Sequence, residues 1–373
     1  MRNGNVLPPM PRFTTIGRDE RDNLLQALRH PLSGYLGGEL YSHGIWVGAI
    51  EERFRGVFGA DDAVACNSAT SGLLAACMAA GVTHGDDVWT TPYSMSATAA
   101  CAVVLGARVK FIDIEPIRFS LDPLKLPNLT LPKVLIVANI FGHPAYLHIL
   151  KTWCNKHGVV MIEDNAQSPF AVENGRYAST MGHMGVFSFN VHKHIQAGEG
   201  GVVLVNDQRF SEKVRLAINH GELAGGRVGL NLRMTEPTAA IACAQFDKAE
   251  KIIAGRRDLA QSLTDMVSDI PWIVPTGEDV GCKHVYYLWT ATCDTDKRDR
   301  FVERLNESGV PFSKGYSTPL NRIFDPSQYC PTADVVEKSL ISFEVCAYNP
   351  TMSHLRKMRE IIKRVAGEID ENR

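Results

Sequence analysis

The stretch FSFNVHKHIQAGEGG, residues 187–201, places Lys193 between two histidines and shortly before a Gly-Glu-Gly-Gly turn. A lysine in such a setting could neighbour a metal, clamp a phosphate, carry a solvated charge or act as a nucleophile. A metal site is disfavoured because His192 and His194 face opposite sides of an extended segment, and no cysteine or carboxylate pair stands at ligand spacing. A Walker-type phosphate loop needs its lysine after the glycines, whereas Lys193 precedes them. A solvated charge sits badly between the apolar runs GVFSF and GGVVLVN. Held between those runs, the amine would be desolvated and its pKa lowered, as a Schiff-base lysine requires.

Three more polar clusters follow apolar runs. CNSATSGLLAACMAAG sets Ser68, Ala69, Thr70, Ser71 and Gly72 where a strand passes into a helix. Free amides and hydroxyls there can face an anion, and the same residues serve equally as an ordinary N-cap. MIEDNAQSPFA ends a strand in Glu163 and Asp164, with Gln167 three residues on. A carboxylate so placed can pair with a cationic ring nitrogen or a metal, or cap the next turn. GLNLRMTEPTAAIACAQFDK brings Asn231 and Arg233 just before Glu236 and Pro237, both suited to a helix start. By itself that segment reads as a loop followed by a helix.

The elements that must position these residues alternate from about residue 62. Short β-rich runs (AVAC, DVWTT, VKFIDI, KVLIVANI, GVVMIEDNA, GVFSF, GGVVLVN) are separated by helical stretches at 71–81, 96–105, 147–157 and 208–219. This pattern predicts an α/β fold with a large, mostly parallel sheet covered by helices. Ligands of such sheets gather at the carboxyl ends of the strands, where the clusters above fall. After AEKIIAGRRDLAQSLTDMV, aromatic strand-like runs mix with helices, which predicts a smaller C-terminal α+β domain. The expected division is 1–255 and 256–373.

Composition narrows the function further. The chain has 373 residues, 45% of them hydrophobic and 21% charged, with 39 Lys+Arg against 41 Asp+Glu. That balance offers no basic surplus for a nucleic-acid partner. Nine scattered cysteines without a CxxC pair predict reduced, mostly buried thiols. No segment has the roughly 18 uninterrupted apolar residues of a membrane span, and the N-terminus lacks an apolar signal core, so a cytoplasmic location is expected. A nicotinamide oxidoreductase is disfavoured, since no GxGxxG follows the first strand.

Taken in order, FGADDAVACNSATSGL, GDDVWTTPYSMSAT, GARVKFIDIEP, IEDNAQS, FSFNVHKHIQAGEGG, NLRMTE and YSTPL resemble the DegT/StrS family of nucleotide-sugar aminotransferases, from about residue 12 to 366. The resemblance implies the type I aminotransferase fold and the cofactor pyridoxal 5'-phosphate, with pyridoxamine 5'-phosphate as its amino-loaded form. It implies that Lys193 carries the cofactor and Asp164 pairs with its ring nitrogen. Gln167 would lie beside the ring, and Ala69, Thr70 and Ser188 would hold the phosphate. Asn231 would reach that phosphate from the neighbouring subunit of a homodimer with shared sites. Met95 stands where the family usually stacks an aromatic residue, and a thioether can cover a ring as well. His192 replaces a small residue common in the family. The expected substrates are a nucleotide-linked keto-sugar and L-glutamate, the latter leaving as 2-oxoglutarate, with no resident metal. Substrate contacts are expected in LSGYLGGELYSHG (32–44) and at His192, and His284, Tyr286 and Tyr316 of KHVYYLW and KGYSTPL are further candidates that fit equally as ordinary core aromatics. Two rivals share the fold: a pyridoxamine-phosphate-dependent sugar dehydratase, whose lysine position carries histidine, and a non-catalytic cofactor-binding regulatory homologue.

Overall fold

A computed structural model describes residues 6–12, 14–32, 44–127, 130–221, 228–316 and 318–371. Residues 33–43, the bulk of the expected LSGYLGGELYSHG contact segment, lie outside the described residues. The strands are β1 (Asp62–Cys66), β2 (Asp87–Thr90), β3 (Arg108–Phe111), β4 (Val134–Ala138), β5 (Val160–Asp164), β6 (Val172–Glu173), β7 (Arg176–Tyr177), β8 (Met184–Ser188), β9 (Gly201–Val205), β10 (Ile273–Pro275), β11 (Cys282–Lys283), β12 (Trp289–Cys293), β13 (Phe312–Ser313) and β14 (Leu340–Phe343).

Strands β4, β8 and β9 read VLIVA, MGVFS and GVVLV and are buried at every residue. Runs apolar on both faces need helices above and below, which is why they sit at the centre of a covered sheet. The large sheet has the order β1-β9-β8-β5-β4-β2-β3. Neighbours from β8 to β3 run parallel, and only β9 is reversed, pairing antiparallel with β1 and β8. The carboxyl ends of β1, β2, β4, β5 and β8 therefore meet at one edge, as the sequence pattern predicts.

Apolar cores fill both faces of this sheet. On one face Phe54 packs against Phe187 and Phe189, with ring centroids 4.9 and 5.6 Å away. Side chains alternate along a strand, so burying those two phenylalanines turns Ser188 to the opposite face. Glu236 does more than start its own helix, Glu236–Asp247. Its carboxylate accepts from Trp46 N and Val47 N at 2.8 Å each, capping the helix Ile45–Phe58.

The second sheet, β10-β12-β14-β13, packs with helices Thr295–Glu307 and Met352–Glu371. Helix Ala249–Val267 joins the two units: Ile253 belongs to the large core, Ala260 and Leu263 to the small one. The expected boundary at 255 thus falls inside a continuous helix. Leu7 also packs into the small core, so the N-terminal residues side with the C-terminal unit, contrary to a simple split at one point. A long-range contact ties it there, Leu7 N donating to Ser308 O at 2.8 Å. All nine cysteines are buried and free of disulfides. Among the described residues no helix is long and apolar enough to cross a membrane.

Candidate active site

The strand ends enclose a cavity of about 460 Å³, and most of its walls come from the clusters singled out in the sequence: Ser68, Ala69 and Thr70 after β1, Ser94 and Met95 after β2, Asn139 after β4, Asp164 and Gln167 at β5, Ser188 and Lys193 at β8. A second cavity of about 220 Å³ shares His192, Tyr287 and Tyr316 with the first and extends toward Ser313 and Glu344 of the small unit.

Period-two alternation separates the adjacent acids at the end of β5. Glu163 points away from the cavity and accepts from Ser179 N, Met181 N, Gly182 N and Asn139 Nδ2 at 2.6–3.2 Å. It holds the loop ahead of β8 and is structural. Asp164 lines the cavity instead. Its Oδ2 accepts from Thr98 Oγ1 at 2.7 Å and its Oδ1 from Ala166 N at 3.2 Å. Burial raises the Asp164 pKa, opposed by those hydrogen bonds and by the positive charge of Lys193.

Beyond β8 the backbone folds back on itself. Ala197 N donates to Phe189 O at 2.8 Å, Phe189 N to Gly200 O at 2.9 Å, and Lys193 N to Asn190 O at 2.9 Å. Within this loop the two histidines part as expected: His192 is exposed on the cavity wall, whereas His194 is fully buried with Nδ1 against Arg256 Nη1. Arg256 Nη2 also donates to Lys193 O at 3.2 Å. The Lys193 ammonium lies 4.2 Å from the centre of the Tyr287 ring. Burial pulls its pKa down to about 8, with Asp164 and then Cys346 opposing the shift.

The anion-facing wall is built by close approach. Ser68 caps helix Ala69–Ala79, its side chain accepting from Ser71 N at 3.1 Å, so the N-cap reading of this cluster holds while Ala69 and Thr70 of the same turn face the cavity. Gly201 begins β9 beside that turn, and a Cβ there would stand 2.6 Å from Phe187 O and 2.9 Å from Ala69 N. Only glycine lets the reversed strand come so near the helix start. Ser188 Oγ completes this wall and accepts from Asn190 N at 3.4 Å.

Gln167 is fixed at both ends of its amide. Its Oε1 accepts from Phe141 N at 2.8 Å and its Nε2 donates to Tyr316 OH at 2.7 Å. Tyr316 in turn stacks on Phe141 with centroids 5.8 Å apart, and burial raises its pKa. Met95 is half exposed on the wall, with Sδ accepting from Ala97 N at 3.2 Å.

Of the expected substrate contacts, His192 and Tyr316 border the cavities and His284 and Tyr286 do not. His284 is 1% exposed, its Nδ1 accepts from Tyr286 N at 2.9 Å, and the two rings stack at 3.9 Å. The cause is local backbone: Tyr286 adopts φ +50°, which breaks strand alternation and swings the neighbouring Tyr287 onto the cavity wall. Gly142, at φ +107°, makes room for this segment, since a Cβ there would meet Tyr286 N and Tyr287 N at 2.6 Å. Asn231 is exposed, bridges to Asn219 and does not line this chain's own cavity. Sequence reasoning misses Thr98, Tyr287 and Arg256. Tyr287 sits in the KHVYYLW run, but Thr98 and Arg256 act across elements and carry no local signal.

Residues 23–369 match the DegT/DnrJ/EryC1/StrS aminotransferase family. The chain belongs to that family. It is 30% identical over 266 residues to a pleiotropic regulatory protein of Geobacillus stearothermophilus, covering 69% of this chain and 71% of the relative. It is equally 30% identical over 266 residues to the GDP-perosamine synthase of Vibrio cholerae, covering 69% and 72%. The structure of an aminotransferase from Psychrobacter cryohalolentis superposes with a TM-score of 0.86 at 24% identity, covering 98% of this chain and all of that one, and shows that the fold is shared.

Aminotransferases of the DegT/DnrJ/EryC1/StrS family depend on pyridoxal phosphate, and the residues fit that group. The cavity offers an amine of lowered pKa, a buried carboxylate with a free edge, and small residues at a helix start beside a serine hydroxyl. These match, in turn, an aldehyde carbon, a cationic ring nitrogen and a phosphate. For Lys193 the sign of the pH effect follows from its lowered pKa: the burial cost to folding is largest below pH 8 and fades as pH rises toward 10.5, the ordinary lysine value. In the cofactor-free protein, the rate at which Lys193 is acylated by a neutral amine reagent, followed by peptide mapping, rises with a midpoint near pH 8. A midpoint near that of surface lysines would contradict the desolvated site.

Proposed function

We propose that this chain transfers an amino group from L-glutamate to a keto-sugar attached to a nucleotide. The observation that carries the reading is the facing of Lys193 and Asp164 across one cavity at the strand ends. Pyridoxal phosphate, when bound, supplies an electron sink that lets a C–H bond next to nitrogen break. Lys193 holds the cofactor, Asp164 keeps a proton on the ring nitrogen, and Ala69, Thr70 and Ser188 hold the phosphate. Gln167, fixed by Phe141 and Tyr316, borders the ring, and Met95 covers part of the cavity mouth.

Released from the cofactor, Lys193 Nζ would take the α-proton of glutamate and return it on the cofactor side; water would supply the keto oxygen of the departing 2-oxoglutarate, and the amino group would stay with the cofactor. The same amine delivers a proton to the former carbonyl carbon of the sugar in the second half. Taking a proton needs the neutral amine and delivering one needs the ammonium that has just taken it up, and the pKa of Lys193, lowered to about 8, brings both forms within reach near neutral pH. His192 and Tyr316, shared by both cavities, border the path to the small unit and are the proposed sugar contacts. The name of the GDP-perosamine synthase relative supports a nucleotide-linked sugar as acceptor. The name of the regulatory relative favours a non-catalytic reading, but retention of Lys193, Asp164 and Gln167 around one cavity favours catalysis. A dehydratase would carry histidine at position 193. With L-glutamate and a panel of nucleotide keto-sugars, the loaded protein forms an amino-sugar nucleotide and 2-oxoglutarate in equal amounts. Consumption of a keto-sugar by loss of water, without 2-oxoglutarate, would support the dehydratase instead.

The active unit in this reading is a homodimer in a cytoplasmic setting, with Asn231 completing the phosphate site of its partner. The exposure of Asn231 and its absence from the lining of this chain's own cavity support a role in trans. Turn stabilisation through the Asn219 bridge is the competing role. Mixing Lys193→Ala with Asn231→Ala chains at limiting cofactor separates the two. If Asn231 acts in trans, one site of each mixed dimer is intact and part of the activity returns. Mixed dimers with no gain over the separate variants, while Asn231→Ala alone is impaired, would end the shared-site proposal.

A further inference from the structure

Asp164 is buried, yet its task on the cofactor requires a negative charge, so something other than water must hold that charge. Thr98 lies on helix Ala97–Val104, is fully buried, and places Oγ1 2.7 Å from Asp164 Oδ2. Ser94 Oγ lies 2.8 Å from the same Thr98 oxygen and borders the cavity. A hydroxyl has one proton to donate. An ionised carboxylate only accepts, so Thr98 must donate to Asp164, and Ser94 must then donate to Thr98. The direction of both bonds is fixed by the charge of Asp164.

We propose that Ser94 and Thr98 form a hydrogen-bond relay of two hydroxyls that holds Asp164 ionised: Ser94 Oγ donates to Thr98 Oγ1, which strengthens the bond that Thr98 donates to Asp164 Oδ2. Thr98 and Ser94 are positioning residues here, since they reach the cofactor through Asp164. Other ionisable groups that bear on Asp164 are Lys193 from the β8 loop, Tyr316 from the small unit and Cys101, one turn beyond Thr98. Lys193 favours the ionised carboxyl, whereas burial of Asp164 opposes it.

The relay is tested first in the cofactor-free protein, where Asp carboxyl carbons labelled with ¹³C are titrated by NMR and Asp164→Asn assigns the resonance. Loss of one hydrogen bond to a charged group predicts that Thr98→Val raises the Asp164 midpoint by about one to two pH units, a tenfold to hundredfold change in proton affinity. Thr98→Ser restores the midpoint, and Ser94→Ala raises it by a smaller amount. Equal midpoints in Thr98→Val and the parent protein, or no rescue by serine, would overturn the proposal. Should Thr98→Val fail to fold, Ser94→Ala decides, and an unmoved midpoint there sinks the relay. In the loaded protein the pH midpoint of the cofactor's absorbance follows the same order of variants. That second readout alone rests on the cofactor reading: a protein that takes up no pyridoxal phosphate would refute that reading, while the titration of the cofactor-free protein would still decide for or against the hydroxyl relay.

Discussion

Opposite ionisable groups confined to one poorly hydrated cavity constrain the rest of this molecule. Burial works against both charges, raising the pKa of Asp164 and lowering that of Lys193, while each partly offsets the cost of the other. A group driven toward neutrality is useful at the lysine, which must give and take protons. In the proposed mechanism it is harmful at the aspartate, whose role there requires the ionised form. The surroundings resolve the conflict unevenly. Asp164 receives hydrogen bonds from Thr98 and Ala166, whereas the Lys193 ammonium faces the Tyr287 ring. Donated hydrogen bonds favour a carboxylate strongly, and an aromatic face supports an ammonium only weakly.

Sheet geometry makes this arrangement possible with few residues. Six of the seven strands end at one edge, so side chains far apart in sequence converge without long loops. The two-residue period then sorts neighbours into opposite duties. Glu163 anchors the loop ahead of β8 while Asp164 faces the cavity, and Phe187 and Phe189 fill the aromatic core while Ser188 faces the cavity. A one-residue slip in either strand would exchange these roles. Arg256, on the helix that joins the two units, grips Lys193 O and the His194 ring from behind, so the catalytic loop is tied to the element on which the small unit is mounted.

Residues adjoining regular strands are legible in the sequence because strand ends and period two locate them: Lys193, Asp164, Gln167, Ser188, Ala69 and Thr70 all border one cavity. His284 lies off the cavity walls for a backbone reason. The KHVYYLW run reads as extended, but β12 begins only at Trp289 and Tyr286 has a positive φ, so alternation cannot say which aromatic faces inward. Thr98 ends the GDDVWTTPYSMSAT run and Arg256 lies in the AEKIIAGRRDLAQSLTDMV helix, but their roles are invisible there because their partners lie 66 and 63 residues away. A division at 255 locates the joining helix but not the return of Leu7 to the second core, a contact that no local pattern encodes.

The central claim is that Lys193, and no other amine of the chain, is the residue that carries the cofactor. Loading the protein with pyridoxal phosphate, reducing it with borohydride and mapping the peptides by mass spectrometry tests this directly. The account predicts a single stable adduct, on the peptide containing Lys193, that is absent from Lys193→Ala. An adduct fixed to a different lysine, or no reducible link in a protein that binds the cofactor tightly, would contradict it.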